Sequence, residues 1–252
     1  MPLDTLVILL SAFVAGMINA VAGGGTLVSF PALLWIGRDP IVANVTSTIG
    51  LCPPSFGAAI GFRRELAKTR RWIRALLLPS FVGGALGAAL LLRTPSHVFG
   101  AIVPYLILFA TALFAAGDRA GRRASTSPVE GGLGTTSWGA AVGFQFLVAV
   151  YGGYFGAGIG ILMLAALSLL GLTDIHEMNG VKNTLALLIN GVAAVYFSFS
   201  GRVIWFDALV MAIAASAGGY GGAGLARALG PTFVRRTVVV IGIAMAASLF
   251  WR

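Results

Sequence analysis

Apolar residues run through this chain in ten blocks, and the second and seventh are only about half as long as the rest. The blocks are Thr5–Ala22, Leu27–Ile36, Ile41–Phe62, Ala75–Leu92 and His97–Ala116, then Trp138–Val150, Ile161–Leu170, Lys182–Ser200, Ala208–Ala226 and Thr232–Phe250. A bilayer core needs ~20 apolar residues in a helix. The long blocks approach that length, whereas ten residues at ~1.5 Å each cover about half of it. The short blocks are therefore expected to be short or re-entrant helices. Irregular backbone at that depth is tolerated only where protein buries it or a cavity receives it. Pro53-Pro54 in the middle of the third block removes two backbone donors and predicts a bend or break there.

Polar and glycine positions repeat across the two sets of five blocks. The first short block follows Ala22-Gly23-Gly24-Gly25-Thr26, and Asn44-Val45-Thr46-Ser47-Thr48 opens the third. The second short block follows Phe155-Gly156-Ala157-Gly158-Ile159-Gly160, and Asn179-Gly180-Val181-Lys182-Asn183-Thr184 comes next. Aligning Val45 with Val181 sets Thr46 opposite Lys182, Ser47 opposite Asn183 and Thr48 opposite Thr184. Gly83-Gly84 in the fourth block answers Gly218-Gly219 in the ninth. Broken hydrophobic helices at corresponding places in two halves point to a binding site at the bilayer midplane.

Composition agrees with the pattern. Of 252 residues, 58% are hydrophobic and only 10% are charged, and mean hydropathy is +0.94. A soluble domain carries ~25% charged residues, so a polytopic membrane protein is expected. The net charge of +9 is not a nucleic-acid footprint, because Arg63, Arg64, Lys68, Arg70, Arg71 and Arg74 all fall in one short connection. That is how the positive-inside rule orients a membrane chain. If 63–74 and 117–137 both face the cytoplasm, the second half runs opposite to the first, and Arg227, Arg235 and Arg236 also fall inside. The expected fold is all-α, built from two inverted repeats of about five elements each. The first repeat is 1–116, a cytoplasmic linker 117–137, and the second repeat 138–252. The N-terminus, Met1-Pro2-Leu3-Asp4, lacks a basic region before its apolar run, so the first helix is expected to stay in the mature protein.

The candidate chemistry is that of a binding site. All eight carboxylates (Asp4, Asp39, Glu65, Asp118, Glu130, Asp174, Glu177, Asp207) fall in connections or at block ends, so no acid is placed as a membrane-depth proton relay. His97 and His176 lie at block ends and Cys52 is the single cysteine, leaving no nucleophilic triad and no metal-ligand spacing. No enzyme, cofactor or metal is expected. Neutral donors and one cation are what the membrane region offers. The expected substrate contacts are Gly23, Gly24, Gly25, Thr26, Asn44, Thr46, Ser47 and Thr48 from the first half. From the second they are Gly156, Gly158, Gly160, Asn179, Lys182, Asn183 and Thr184. Helix N-termini attract anions, glycines let a ligand reach the backbone, and Lys182 offsets charge. Asn19, Gln145 and Asn190 are read as interhelical hydrogen-bonders, and Trp35, Trp72, Trp138, Trp205 and Trp251 as an aromatic belt.

At these residues the chain resembles the TauE/SafE family of sulfite exporters. The likeness rests on Gly16-Met-Ile-Asn-Ala-Val-Ala-Gly-Gly-Gly-Thr-Leu-Val-Ser-Phe-Pro-Ala-Leu-Leu34, on Val42-Ala-Asn-Val-Thr-Ser-Thr48 and on Gly57-Ala-Ala-Ile-Gly-Phe-Arg-Arg-Glu-Leu66. The glycine-rich stretch 152–160 adds to it. The resemblance implies a multi-pass carrier of the bacterial inner membrane for small sulfur-containing anions such as sulfite, sulfonates, thiosulfate or sulfoacetate, with direction varying among members. The expected function is a permease for such an anion, by alternating access at the repeat interface. Another solute, or a subunit that transports nothing, is the alternative. The expected partners are a small anionic substrate, the lipid bilayer and a second copy in a homodimer, with no nucleic acid.

Overall fold

A computed structural model of the chain describes residues 3–21, 24–61, 69–126, 135–169, 172, 174–229 and 231–251. Among them are eleven helices and no strand: α1 Leu3–Val21, α2 Thr26–Trp35, α3 Pro40–Gly50, α4 Cys52–Gly61, α5 Arg70–Arg93 and α6 Ser96–Thr126. The second half supplies α7 Thr135–Tyr154, α8 Ile159–Leu169, α9 Ile175–Ser198, α10 Trp205–Leu229 and α11 Pro231–Phe250. Four described segments, Leu3–Ala20, Arg70–Arg93, Ser96–Ala116 and Glu177–Ser198, are each long and apolar enough to cross a bilayer. The molecule is a multi-pass, all-helical membrane protein.

The boundaries depart from the block pattern in three places. The third block is divided at Leu51, ahead of Pro53-Pro54, and the prolines occupy the first turn of α4. There the missing N–H would be unpaired in any case, so proline starts a helix at little cost. Helix α9 begins at Ile175, seven residues before the expected Lys182, which puts the lysine two turns into the helix. Helix α6 continues to Thr126 and α7 starts at Thr135, so the connection between halves is shorter than 117–137. Residues 127–134 lie outside the described ones.

Packing exchanges elements between the halves. The helix of the first apolar block lies against that of the ninth, α1 on α10, and the helix of the sixth against that of the fourth, α7 on α5. The equivalent short helices also cross over, α2 meeting α11 and α8 meeting α6. Glycine makes both large interfaces. A Cβ on Gly16 would strike the Ala215 carbonyl, and one on Gly218 the Phe13 carbonyl. A Cβ on Gly87 would strike the Val150 carbonyl, and one on Gly153 the carbonyl of Gly84. With little hydrophobic drive between helices in lipid, such close backbone approach is how dispersion contacts hold them together. This reciprocity is compatible with two inverted repeats.

The two ends of the bundle differ in charge. At one end Arg70, Arg71 and Arg74 open α5 and are exposed, with the Arg71 guanidinium over the Trp138 ring and Trp72 stacked on Trp138 at 4.8 Å. Helix α5 spans roughly 36 Å at 1.5 Å per residue, and its other end meets the connections 36–39, 94–95 and 199–204. These are tied together there: Ser96 Oγ donates to Asp39 at 3.2 Å, and Arg38 Nε pairs with Asp207 at 2.9 Å. The outward apolar side chains, Leu78, Tyr105, Val195 and Leu209 among them, are more than half exposed, as lipid-facing residues should be.

Candidate functional site

The two glycine breaks are built differently. After α1 the chain turns through Gly24 (φ +118), a conformation costly for any residue with a Cβ. The Asn19 side-chain oxygen then accepts the amides of Gly24 at 3.0 Å and Gly25 at 2.7 Å. Asn19 thereby caps the break, occupying amides that would otherwise open α2. After α7 the chain turns through Gly156 (φ +81) and Gly158 (φ +78). Tyr151 Oη holds this turn by donating to the Ala157 carbonyl at 2.8 Å. Here the amides of Gly158, Ile159 and Gly160 have no acceptor among the described residues. The N-terminus of α8 is therefore the open, positively polarised helix end of the pair.

That end faces a cavity of about 490 Å³ between the halves. Lys182 lies on its wall with the aliphatic stem against Gly160, where a Cβ would sit 3.3 Å from the lysine Cδ. The Lys182 ammonium donates to Asn179 Oδ1 at 2.8 Å, one turn back on α9. Asn183 and Asn190 also line the cavity, with Asn19, Thr26, Thr48 and Ser55 from the first half and Ser216 and Tyr220 from α10. Among the described lining residues Lys182 carries the only formal charge, and no group of three or more metal-ligating side chains is present among the described residues.

Residues 8–249 match the family model described as sulfite exporter TauE/SafE. The chain belongs to the TauE/SafE family. It is 30% identical over 254 residues to a probable membrane transporter protein of Haemophilus influenzae, covering 99% of this chain and 96% of the relative. It is 28% identical to the probable membrane transporter protein YfcA of Escherichia coli K12, covering 99% of this chain and 91% of the relative. A probable membrane transporter protein, ORF9, of a Sinorhizobium species is 28% identical over 95% of this chain and 89% of its own length. No solved structure matches. Family and architecture together make this TauE/SafE member a membrane transporter and not an enzyme.

Of the residues expected at the site, Gly24, Thr26, Thr48, Gly156, Gly158, Gly160, Asn179, Lys182 and Asn183 line the cavity. The others sit elsewhere. Gly25 is packed beside the Ala15 carbonyl. Asn44 donates to the Tyr154 carbonyl at 2.9 Å, Thr46 Oγ1 accepts the Ile204 amide at 3.2 Å, and Ser47 Oγ pairs with Ser29 Oγ at 2.8 Å. Thr184 bonds back to the Gly180 carbonyl within α9. Gly23 lies outside the described residues. The alignment of Thr46 with Lys182 therefore does not carry over into space: Thr46 is held by the Ile204 amide, whereas Lys182 lines the cavity. The helix ends also differ from expectation: Asp39 caps α3 by accepting the Ile41 and Val42 amides, so the open N-terminus belongs to α8.

Polar side chains that line the cavity outside the expected set are Asn19 and Asn190, expected as interhelical hydrogen-bonders, with Ser55, Ser216 and Tyr220. Asn190 was legible. Lys182, Asn183, Ala186 and Asn190 follow Asn179 by three, four, seven and eleven residues, the spacing of one helical face. Asn19 had no such partner in sequence.

Proposed function

We propose that this protein carries a small monovalent or divalent oxyanion across the membrane, a sulfur oxyanion such as sulfite or an organosulfonate, by alternating access to the cavity between its repeats. The observation that supports this reading most is the wall itself: one ammonium beside several amide side chains and three unpaired backbone amides, with no carboxylate among the described lining residues. An anion leaving water loses its hydration shell, and burial of an isolated charge is costly unless it is paired and hydrogen-bonded. Lys182 supplies the countercharge, while Asn179, Asn183 and Asn190 and the amides at 158–160 supply donors to the oxygens. Charge-assisted hydrogen bonds of this kind are about twice as strong as neutral ones. Gly156, Gly158 and Gly160 let the anion reach the backbone.

The family is that of sulfite exporters, and sulfite is the first substrate to test. The relatives' bacterial sources and the basic end of the bundle support placement in a bacterial inner membrane, with Arg70, Arg71 and Arg74 on the cytoplasmic side. The decisive experiment is counterflow of radiolabelled sulfite into proteoliposomes, with methanesulfonate, sulfate and phosphate as competitors. Lys182→Gln should lower flux about a hundredfold, since a hydrogen bond to a charged group contributes about 1.5–3 kcal/mol, and should leave the thermal midpoint in detergent within a few degrees. Equal flux in the variant, or competition by none of the sulfur anions, overturns the reading.

A further inference from the structure

The polar cluster Asn44-Val45-Thr46-Ser47 lies between the cavity and the end of the bundle opposite Arg70, Arg71 and Arg74. Helix α3 starts at that far end, capped by Asp39, and reaches the cavity with Thr48. Helix α10 also starts there, with Asp207 in its first turn, and reaches the cavity with Ser216. Nine residues of helix separate each pair, roughly 14 Å at 1.5 Å per residue. On α9 the lining residues stop at Asn190, well short of the helix end at Ser198. On α9 and α10 the lining thus stops two turns or more short of that end, and protein covers the cavity on the far side.

That layer is stitched by contacts that cross between the halves. Arg38, 31% exposed, pairs with Asp207, 3% exposed. Alongside it, Thr46 accepts the amide of Ile204, three residues before Asp207, and Asn44 donates to the Tyr154 carbonyl. Beside them an edge-to-face aromatic column fills the space: Phe30 on Phe99 and on Phe155, and Phe99 on Tyr154. Phe155 is both a member of that column and a cavity wall.

We propose that Arg38–Asp207, with Thr46 and Asn44 beside it, is the latch of a closed gate on the far face, and that this conformation opens its anion cavity towards the basic face. The proposal rests on the carrier reading for its purpose, but not for its test. A buried carboxylate that loses its guanidinium is left desolvated and unpaired, so removing Arg38 weakens the closed state against the open one. In an alternating-access cycle the pair must separate whenever the cavity turns to the far face. The polar residues of α3 then serve the gate, and those of α9 serve the ligand.

The test needs no substrate. In a Cys52→Ala background, which removes the single native thiol, Ser216→Cys places a reporter on the cavity wall. Vesicles of each orientation are treated with a membrane-impermeant maleimide. The intact latch predicts labelling from the basic face and little from the far face. Arg38→Ala or Asp207→Asn should raise the far-face rate about tenfold, the response of a two-state equilibrium that loses one decade of bias. The exchange Arg38→Asp with Asp207→Arg should bring it back down. Far-face labelling that is already fast in the unlatched and latched proteins alike, or unchanged by all three variants, overturns the gate. Ser55→Cys repeats the measurement if Ser216→Cys does not fold. Sulfite flux is measured separately, so loss of the anion reading with the labelling pattern intact leaves the gate standing.

Discussion

The two glycine breaks look alike in sequence and differ in what holds them. At the first, Asn19 takes up the amides of Gly24 and Gly25, and a Cβ on Gly24 would meet the Phe114 ring at 2.7 Å. The break is closed from within and packed from outside. At the second, Tyr151 secures a carbonyl, and residues 158–160 line the cavity with Lys182. The repeated pattern supplies two breaks in the membrane, and one asparagine is enough to turn a helix N-terminus from a binding surface into a structural joint. The lesson is that a repeated motif predicts where irregular backbone will lie: both copies reach the same cavity, and they differ in which amides are capped.

Variants can break or sharpen this contrast, and the most severe is a transplant. Thr46→Lys placed in Lys182→Gln should restore no sulfite flux, because Thr46 is 1% exposed and engaged with Ile204. A buried, uncompensated ammonium there should cost about 3–5 kcal/mol, read as a large fall in the thermal midpoint. Recovery of flux would mean that the copies are interchangeable after all. Asn19→Ala should come next, at about 1–3 kcal/mol, from two amides left without their acceptor. Flux per folded molecule should survive it better than it survives Lys182→Gln. Gly158→Ala forces a positive φ on a residue with a Cβ, costing about 1–2 kcal/mol, and should weaken sulfite affinity as the α8 amides turn away. Gly37→Ala is the mildest. Gly37 has φ +84, and a methyl added there would meet nothing within 4 Å, so it isolates the backbone penalty of about 1 kcal/mol with no effect on flux. Subtracting it from Gly158→Ala leaves what the cavity position adds.

Much of the fold was legible because membrane depth leaves a length code. The ten apolar blocks fall on the helices, and the short second and seventh blocks are α2 and α8. Pro53-Pro54 announced a break but not its side, since proline is equally at home in the first turn of a helix that starts anew. The cavity wall was legible on α9, where Asn179, Lys182 and Asn183 share a face. It was not legible on α3, where Asn44, Thr46 and Ser47 look equally polar. Which way such side chains turn depends on what packs against them: Ser29, Tyr154 and Ile204 lie 18, 110 and 158 residues from their partners in sequence. Period and composition do not reach across such separations.

The pairing of α1 with α10 sets an order on how the chain can assemble. Gly16 waits for the backbone of Ala215, so the first segment to enter the bilayer is among the last to find its neighbour. Until the ninth block is inserted, a stripe of small residues on α1 has only lipid beside it, and α5 has no partner before α7 arrives. Biogenesis of this protein is therefore a late event: a nascent chain stalled after its first half would hold correctly inserted segments with their main mating surfaces still vacant.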